Sequence, residues 1–554
     1  MQSGEPIDLL TGDWMSEGNM TTAALRKLNK TDPNTHGFEK SFLDTIAPVL
    51  HRLAEQNIKV AVNAGACDTK LLCCKVEELV QMRGLSLKVA WISGDEVLGT
   101  IQTKHQAGEE CLINLKSGQN VQNLPGKPLF AQAYLGARGV TEALKNGADI
   151  VICGRVADAS PIIGGAMWWH DWTESQHQEL ACAFVAGHLV ECSTYITGGN
   201  FSGFKSIPSK EDLGFPIVEI GAAGEVIVTK VASTGGAVTK DTVTAQLLYE
   251  IQGPWYFHSD VVACLDQIHV QEVGKDRVKV EGVSGLPPPP TTKVGITLPG
   301  GYQAELHWSL VGLDIQAKAA LLEHNIRTNL GERASQFSRL QFSTNGVPAE
   351  DGDSQSDCTV DFRIFVQAPE AQTLSVSNWI EPVLDVIMCS YPGATPHPAT
   401  TTGLPRQYCE YQPYLIPQSL IKHQVHLGLQ TLDIPTPTHT KCYPFNQPSH
   451  DPRNPIDLKS FGPTTRGPIG WVAHARSGDK GSDANVGFWV KTAEQYSWLR
   501  SLLTISFLKQ LLGRDYKEGC AVDRFELPGL LAVHFLMHNY LDRGVNIREG
   551  YRNS

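Results

Sequence analysis

GADIVICGRVADASPIIGG, residues 147–165, sets the architecture expected of this chain. Residues 148–153 form a short, mostly apolar run of the kind a buried parallel strand makes. The run stops at Gly154, and Ser160-Pro161 then offers an N-cap followed by a proline preset for the first helical turn. Open α/β sheets place ligands in just such loops, past the carboxyl ends of their strands. Arg155 and Asp158 lie in this loop, one charge of each sign. They read either as ligand-facing groups or as an ion pair in a surface turn.

The same layout recurs upstream. Residues 7–20, IDLLTGDWMSEGNM, read as a strand ending at Thr11-Gly12, which brings Asp13 and Glu17 to its carboxyl end. Residues 41–56 look helical, 58–63 read as a strand, and NAGACDTKLL (63–72) turns at Gly65 into a helix that Asp68 is placed to cap. A further strand follows over 85–92. Alternating strands and helices predict a large, mostly parallel sheet covered on both faces.

Downstream, 174–195 reads as a long helix, 217–230 as a β-hairpin, and 234–250 as a glycine turn leading into a helix. From about 260 to 400 the pattern becomes α+β, with strands at 277–280, 294–298 and 361–367 and a helix at 317–329. Eight prolines between Pro435 and Pro468 deny helix and central strand, so 434–466 reads as an extended linker. The remainder predicts strand, loop, strand, helix, strand, helix. The expected organisation is an α/β domain over 1–433, either whole or as lobes 1–255 and 256–433, then the linker, then a small domain over 467–554.

A formal charge of -12 and no basic cluster interleaved with aromatics argue against nucleic-acid binding. No apolar run approaches the roughly 20 residues that span a bilayer, so no membrane partner is expected. The opening residues lack the charged start and apolar core of a signal peptide. Thirteen scattered cysteines with no C-x-x-C pair fit reduced thiols in the cytoplasm rather than a disulfide framework. No nicotinamide, flavin or Walker fingerprint and no G-x-S-x-G elbow is present.

His188, Glu191 and Cys192 fall at i, i+3 and i+4 on one predicted helix and can share a face. They could form an acid/base group with Glu191 holding His188, or be a packed cysteine, a satisfied core histidine and an exposed glutamate. Cys67 sits near a helix N-terminus, but Asp68 beside it opposes the thiolate, so it is not expected to be a nucleophile. Arg138 reads as a surface ion pair. Near the end, ARSGDKGSDANVGFWV (475–490) packs Arg476, Asp479, Lys480, Asp483 and Asn485 into ten residues between two predicted strands, around a loop SGDKGSDAN (477–485), with more varied donors and acceptors than a solvated turn needs.

Five stretches together carry a family likeness: GADIVICGRVADAS (147–160), AGHLVECSTYITGGNF (186–201), GFPIVEIGAAGEVIVTK (214–230), STGGAVTKDTVTAQLLYEI (233–251) and ARSGDKGSDANVGF (475–488). In this order they resemble the acyclic terpene utilisation A family, whose members join a large N-terminal domain to a small ferredoxin-fold domain. The tail ELPGLLAVHFLMHNYLDRGV (526–545) fits the family's ending. Family members usually begin with a strand and glycine-rich turn ahead of the segment IDLLTGDWMSEGNM. The chain therefore reads as having lost that unit or as a shortened form.

The resemblance implies breakdown of branched acyl or terpenoid substrates, free or CoA-linked. With redox and nucleotide fingerprints missing, acid/base chemistry remains: a cofactor-light lyase or hydratase on a hydroxyacyl or enoyl thioester or acid of branched, terpenoid or polyketide-like type. Its alternatives are a thioester hydrolase using Cys192 or an activated water, and a non-catalytic acyl-CoA-binding accessory subunit of a carboxylase pathway. On the first reading Asp158 or His188 moves the proton, Glu191 orients His188, and Asp13, Asn63, Arg155, Arg476, Asp479, Lys480 and Asn485 bind substrate. No cofactor is expected, a divalent metal is allowed but unsupported by any motif, and a homo-oligomer is expected.

Overall fold

The computed structural model describes residues 5–29, 35–122, 126–397 and 401–541. These form two compact units, one from residues up to Thr297 and from Tyr411 onward, the other from Leu298–Glu410.

In the first unit, strands Leu9–Gly12, Lys59–Val62, Ile150–Ile152 and Val89–Ser93 pair in that order, all parallel. An antiparallel hairpin, Gln424–Leu427 with Gln430–Asp433, extends the edge beyond Val89–Ser93. Alternation along the strands feeds two cores. Val60, Val62, Ile150 and Ile152 pack against Leu50, Leu53, Leu72 and Val76 on one face. Ala61, Val151, Ala90 and Ile92 meet Val140, Ala143 and Leu144 on the other. The period of two in a strand makes this division, and burial on both faces explains why 148–153 reads as a continuous apolar run.

Among the described residues, parallel pairing between strands is confined to those four, with isolated parallel bridges at Leu135–Val156 and Leu213–Gly235. Beyond residue 216 the paired strands run antiparallel, several of them joined by the short turns that antiparallel pairing allows. A four-stranded meander orders His269–Gly274, Arg277–Glu281, Val226–Lys230 and Pro216–Ile220. It and helices Ser160–His170 and His177–Glu191 share an apolar core with Val243, Leu247 and Leu248 of helix Lys240–Leu248.

The C-terminal domain is a four-stranded antiparallel sheet in the order His474–Lys480, Asp483–Trp489, Ala532–Met537, Val522–Leu527. One face packs on helices Ala493–Leu502 and Ile505–Leu512. The other contributes Trp489, Leu527 and Ala532 to the core around helix Lys240–Leu248. The residues expected to end in a helix form strand Ala532–Met537 instead. It is central, hence buried on both faces, so its run AVHFLM shows no alternation. The loop expected over 477–485 is a tight hairpin whose turn residues are Gly481, at φ +61°, and Ser482.

Between the two domains, residues 434–466 hold no strand and only a short 3-10 turn, Leu458–Phe461. They lie against the first unit, with Gln447 bonding Trp255 and Gln252. The second unit begins within strand Thr291–Val311 and pairs Tyr302–Val311 antiparallel with Thr359–Ala368, which pairs with Arg339–Asn345. Helix Ile315–Leu330 covers a core of Trp308, Phe362 and Trp379. Among the described residues, no helix is long and apolar enough to cross a membrane.

Candidate functional site

All four parallel strands deliver a polar residue at their carboxyl ends: Asp13 after Gly12, Asn63 after Val62, Asp95 after Ser93, and Arg155 after Ile152. Asn63 is fully buried. Its Oδ1 accepts the Trp14 N–H at 2.7 Å and its Nδ2 donates to Asp13 Oδ1 at 2.5 Å. The Met15 N–H donates to the same Asp13 oxygen at 3.0 Å. One oxygen of Asp13 is thus locked, and its Oδ2 meets no hydrogen-bond donor among the described residues.

Asp95 sets the Arg155 turn. Its Oδ2 accepts the Arg155 N–H at 2.9 Å and Gln132 Nε2 at 2.7 Å. A Cβ at Gly154 would strike that oxygen and Thr69, so only glycine lets the turn pass. The Arg155 guanidinium lies 3.9 Å over the Tyr134 ring, donates to Met15 O at 2.8 Å, and donates to Asp158 Oδ1 at 2.5 Å. Ser160, expected as the helix cap, sits inside the first turn with Ala159 at the N-cap. Its hydroxyl instead donates to Leu135 O at 3.1 Å. Asp68, likewise, makes no side-chain cap bond.

Helix His177–Glu191 brings His188 and Glu191 to the same place. His188 is buried, and its Nε2 lies 2.9 Å from Gln246 O. A carbonyl only accepts, so Nε2 carries the proton and Nδ1 presents a lone pair, 3.1 Å from the Tyr256 hydroxyl. The Glu191 carboxylate stands 3.6 Å from that Nδ1. His188 is therefore oriented by Gln246 and Tyr256 rather than by Glu191. Cys192 caps the helix beside Glu191.

The C-terminal hairpin closes the site. Lys480 Nζ lies 2.5 Å from Glu250 Oε2 and 3.8 Å from Asp158 Oδ2. The Gly481 N–H donates to Glu17 Oε2 at 2.9 Å, and Lys293 holds Glu17 Oε1 at 3.0 Å. Lys293 also lies over the Tyr134 and Tyr411 rings, whose hydroxyls are 2.7 Å apart. Glu250 takes a left-handed φ of +59°, a conformation that costs a non-glycine residue on the order of 1–3 kcal/mol. Asn485 accepts its N–H at 3.2 Å and donates to Leu248 O at 2.8 Å, holding it there.

Three carboxylates converge: ligand-capable oxygens of Asp13, Asp158 and Glu191 all lie within 4.8 Å of one another. Burial, then Asp158 and Glu191, pushes the Asp13 carboxyl up to about 8. Asp13 is the exposed member of the three, and Asp158 and Glu191 are half-buried. Burial, then Asp158, holds Glu191 well above the usual carboxylate range. Burial opposes ionisation of Asp158 too, but Arg155 and Lys480 outweigh it and keep that carboxyl low. Lys480, in turn, is held well above the usual lysine range, its burial outweighed by Glu250 and Asp158. Burial and Glu191 push the Cys192 thiol far up, and burial pushes His188 down to about 4.

Of the residues picked from sequence, Asp13, Asn63, Arg155, Asp158, Glu191 and Lys480 meet here, with His188 and Cys192 alongside. Asp479 stands near them, and burial, then Glu250 and Glu17, pushes it up to about 6. Arg476 and Asn485 do another job. Arg476 is buried, stacked over Tyr195 at 4.6 Å and Tyr249 at 4.2 Å, and bonds Asn200 O. Both residues dock the C-terminal domain. Glu250, Lys293, Tyr134, Tyr256 and Tyr411 were not picked, and no local pattern marks them.

A second constellation looks catalytic and is not. Ser160 Oγ lies 2.9 Å from His258 Nε2, and His258 neighbours Asp260. The Asp260 N–H donates to His258 Nδ1 at 3.1 Å, so Nε2 bears the proton and cannot take one from the serine. Asp260 pairs instead with Arg138 at 3.1 Å, and Arg138 also reaches Glu174 at 3.0 Å, a largely buried bridge rather than the surface pair expected.

These features define a mixed α/β protein with a cluster of carboxylates near the carboxyl ends of parallel strands, completed by a small C-terminal α+β domain. Residues 1–427 match the acyclic terpene utilisation family protein AtuA, and residues 468–550 match the AtuA ferredoxin-like domain. The chain belongs to that family. No curated protein and no solved structure gives a match.

Proposed function

We propose that this protein is a lyase or hydratase acting on a hydroxyacyl or enoyl substrate of branched acyl or terpenoid type, free or thioester-linked. One observation carries the reading: Asp13, Asp158 and Glu191, from three separate segments, meet within 4.8 Å under the Lys480 ammonium. Eliminating or adding water, or cleaving a carbon–carbon bond next to a hydroxyl, needs groups that take and return a proton beside a fixed positive charge. The carboxylates of the cluster, Glu250 and Asp479 among them, supply the first. Lys480 supplies the second, where negative charge develops on the acyl oxygen. Arg155 positions Asp158.

Cys192 is poorly suited to a hydrolase of the nucleophilic kind. Attack requires the thiolate, and burial beside Glu191 disfavours it. The test is incubation of the purified chain with a panel of enoyl- and hydroxyacyl-thioesters, read by mass spectrometry. Gain or loss of one water, or appearance of a shortened acyl product, is the expected result. Release of free thiol with the acyl acid would move the assignment to hydrolysis, and binding without mass change would make the protein an accessory subunit.

A further inference from the structure

The positive groups of the cluster are already engaged by the protein itself. Lys480 is taken by Glu250 and Asp158, Lys293 by Glu17, and Arg155 by Asp158 and the Met15 carbonyl. Among the described residues no lysine or arginine forms an ion pair with Asp13 or Glu191. Asp13 has one oxygen locked by Asn63 and Met15 and the other open. Glu191 is the sharper case. Its side chain is 4% exposed, and among the described residues no N–H or O–H lies within hydrogen-bond distance of its carboxylate. Its near neighbour, His188 Nδ1, offers a lone pair, because the ring proton is committed to Gln246. A buried carboxyl facing a lone pair and two other carboxyls keeps its proton unless a positive species sits among them and takes the proton's place.

We propose that Asp13, Asp158 and Glu191 form a binding site for a hard divalent cation, of the magnesium or manganese class. The donors are all carboxylate oxygens, which favour such ions over zinc or copper. The outer shell matches as well. Asn63 fixes Asp13 and Arg155 fixes Asp158, the arrangement by which ligating carboxylates are themselves held by hydrogen bonds. Three protein ligands leave positions open for the oxygen of a substrate, and the ion would polarise that oxygen. Proton transfer then falls to groups off the triangle, Asp479 and Glu250. This inference rests on the cluster being the reaction site, but not on which bond is made or broken there.

The test uses the full chain, stripped with a chelator and dialysed, then titrated with Mn²⁺ alone and followed by electron paramagnetic resonance of the free ion. Saturable binding of one ion per chain is expected, weakened at least about tenfold in Asp13→Asn and Glu191→Gln and also in the outer-shell variant Asn63→Ala. Glu78→Gln, on an exposed helix surface, serves as the control and should bind as the parent does. Absence of saturable binding by the parent chain overturns the site whatever the variants do. So does binding that Asp13→Asn and Glu191→Gln both leave unchanged. Binding without turnover of any thioester would keep the site and remove the lyase reading. Turnover that survives chelation, with no Mn²⁺ bound, would do the reverse.

Discussion

Lys480, on the C-terminal hairpin, lies 3.8 Å from Asp158, on the loop after a central parallel strand, although 322 residues separate them in the chain (480 − 158). The small domain thus places a charge beside the carboxylates of the large one. Replacing Lys480 with Met should lower turnover by about 100-fold, the scale of removing one group that stabilises developing charge. Lys480→Arg should recover part of it. Steady-state kinetics on whichever thioester is turned over checks this. A Lys480→Met rate equal to the parent's would show that the domain contact is structural.

Asn485 makes a different kind of contribution. It holds Glu250 in its left-handed conformation by accepting the Glu250 N–H and bonding Leu248 O. Asn485→Ala leaves that N–H and carbonyl unsatisfied in a buried setting, and should cost about 1–3 kcal/mol in urea unfolding. Asn485→Asp should not rescue it, because the lost amide N–H is the donor to Leu248 O.

Much of this cluster was legible in the strand–loop–helix pattern. Asp13, Asn63, Arg155 and Asp158 each follow a strand, and strand ends are readable because the apolar run stops there. The partners that complete it were not. Glu250 acquires its role only when the C-terminal domain docks, and Lys293 follows a run of prolines that reads as a break. Strand Thr291–Val311 passes through Pro299-Gly300-Gly301, so only its first part, 294–298, was expected. His188 shows the limit most plainly. Its place on the helix was predictable, but its tautomer is set by a carbonyl 58 residues downstream.

Cys192 separates the chemical alternatives. Its thiol is far from ionising beside Glu191, so Cys192→Ser should keep most of the turnover of the parent chain. Loss of activity together with loss of a trapped acyl-enzyme in rapid-quench mass spectrometry would restore the nucleophilic route.

The C-terminal sheet carries a pH-dependent contact of its own. His538 Nε2 lies 2.8 Å from Asp523 and Nδ1 3.6 Å from Asp483. Bonds to Asp483 and Asp523 outweigh burial and raise the imidazole to about 9, against about 6.5 in an unfolded chain. Because the folded value is the higher one, the contribution to stability is complete below about 6.5 and fades as pH climbs through about 9. His538→Gln should therefore destabilise the protein at mildly acidic pH and lose that penalty above pH 9. Urea unfolding of both proteins across this window checks the sign. A penalty that grew toward alkaline pH would show the contact to be something other than a charged histidine between two aspartates.

Arg155 is the group whose replacement should be least tolerated. Its guanidinium is 3% exposed, stacks on Tyr134, and spans Met15 O and Asp158 at once. Lysine keeps the charge but is a single point donor without a planar face, so it cannot make both bonds and the stack together. Arg155→Lys should fold with reduced stability and give a turnover loss beyond that of Lys480→Arg, since Asp158 loses its fixed orientation. Arg155→Met removes the charge altogether and leaves Asp158 with Lys480 as its remaining counter-ion. Breaking a buried pair from one side costs about 3–5 kcal/mol, and the accessible part of Asp158 places the expected loss at the lower end. Comparing the two variants by urea unfolding and by Mn²⁺ titration separates orientation from charge. If orientation governs, both variants lose ion affinity and only the methionine variant loses most of its stability.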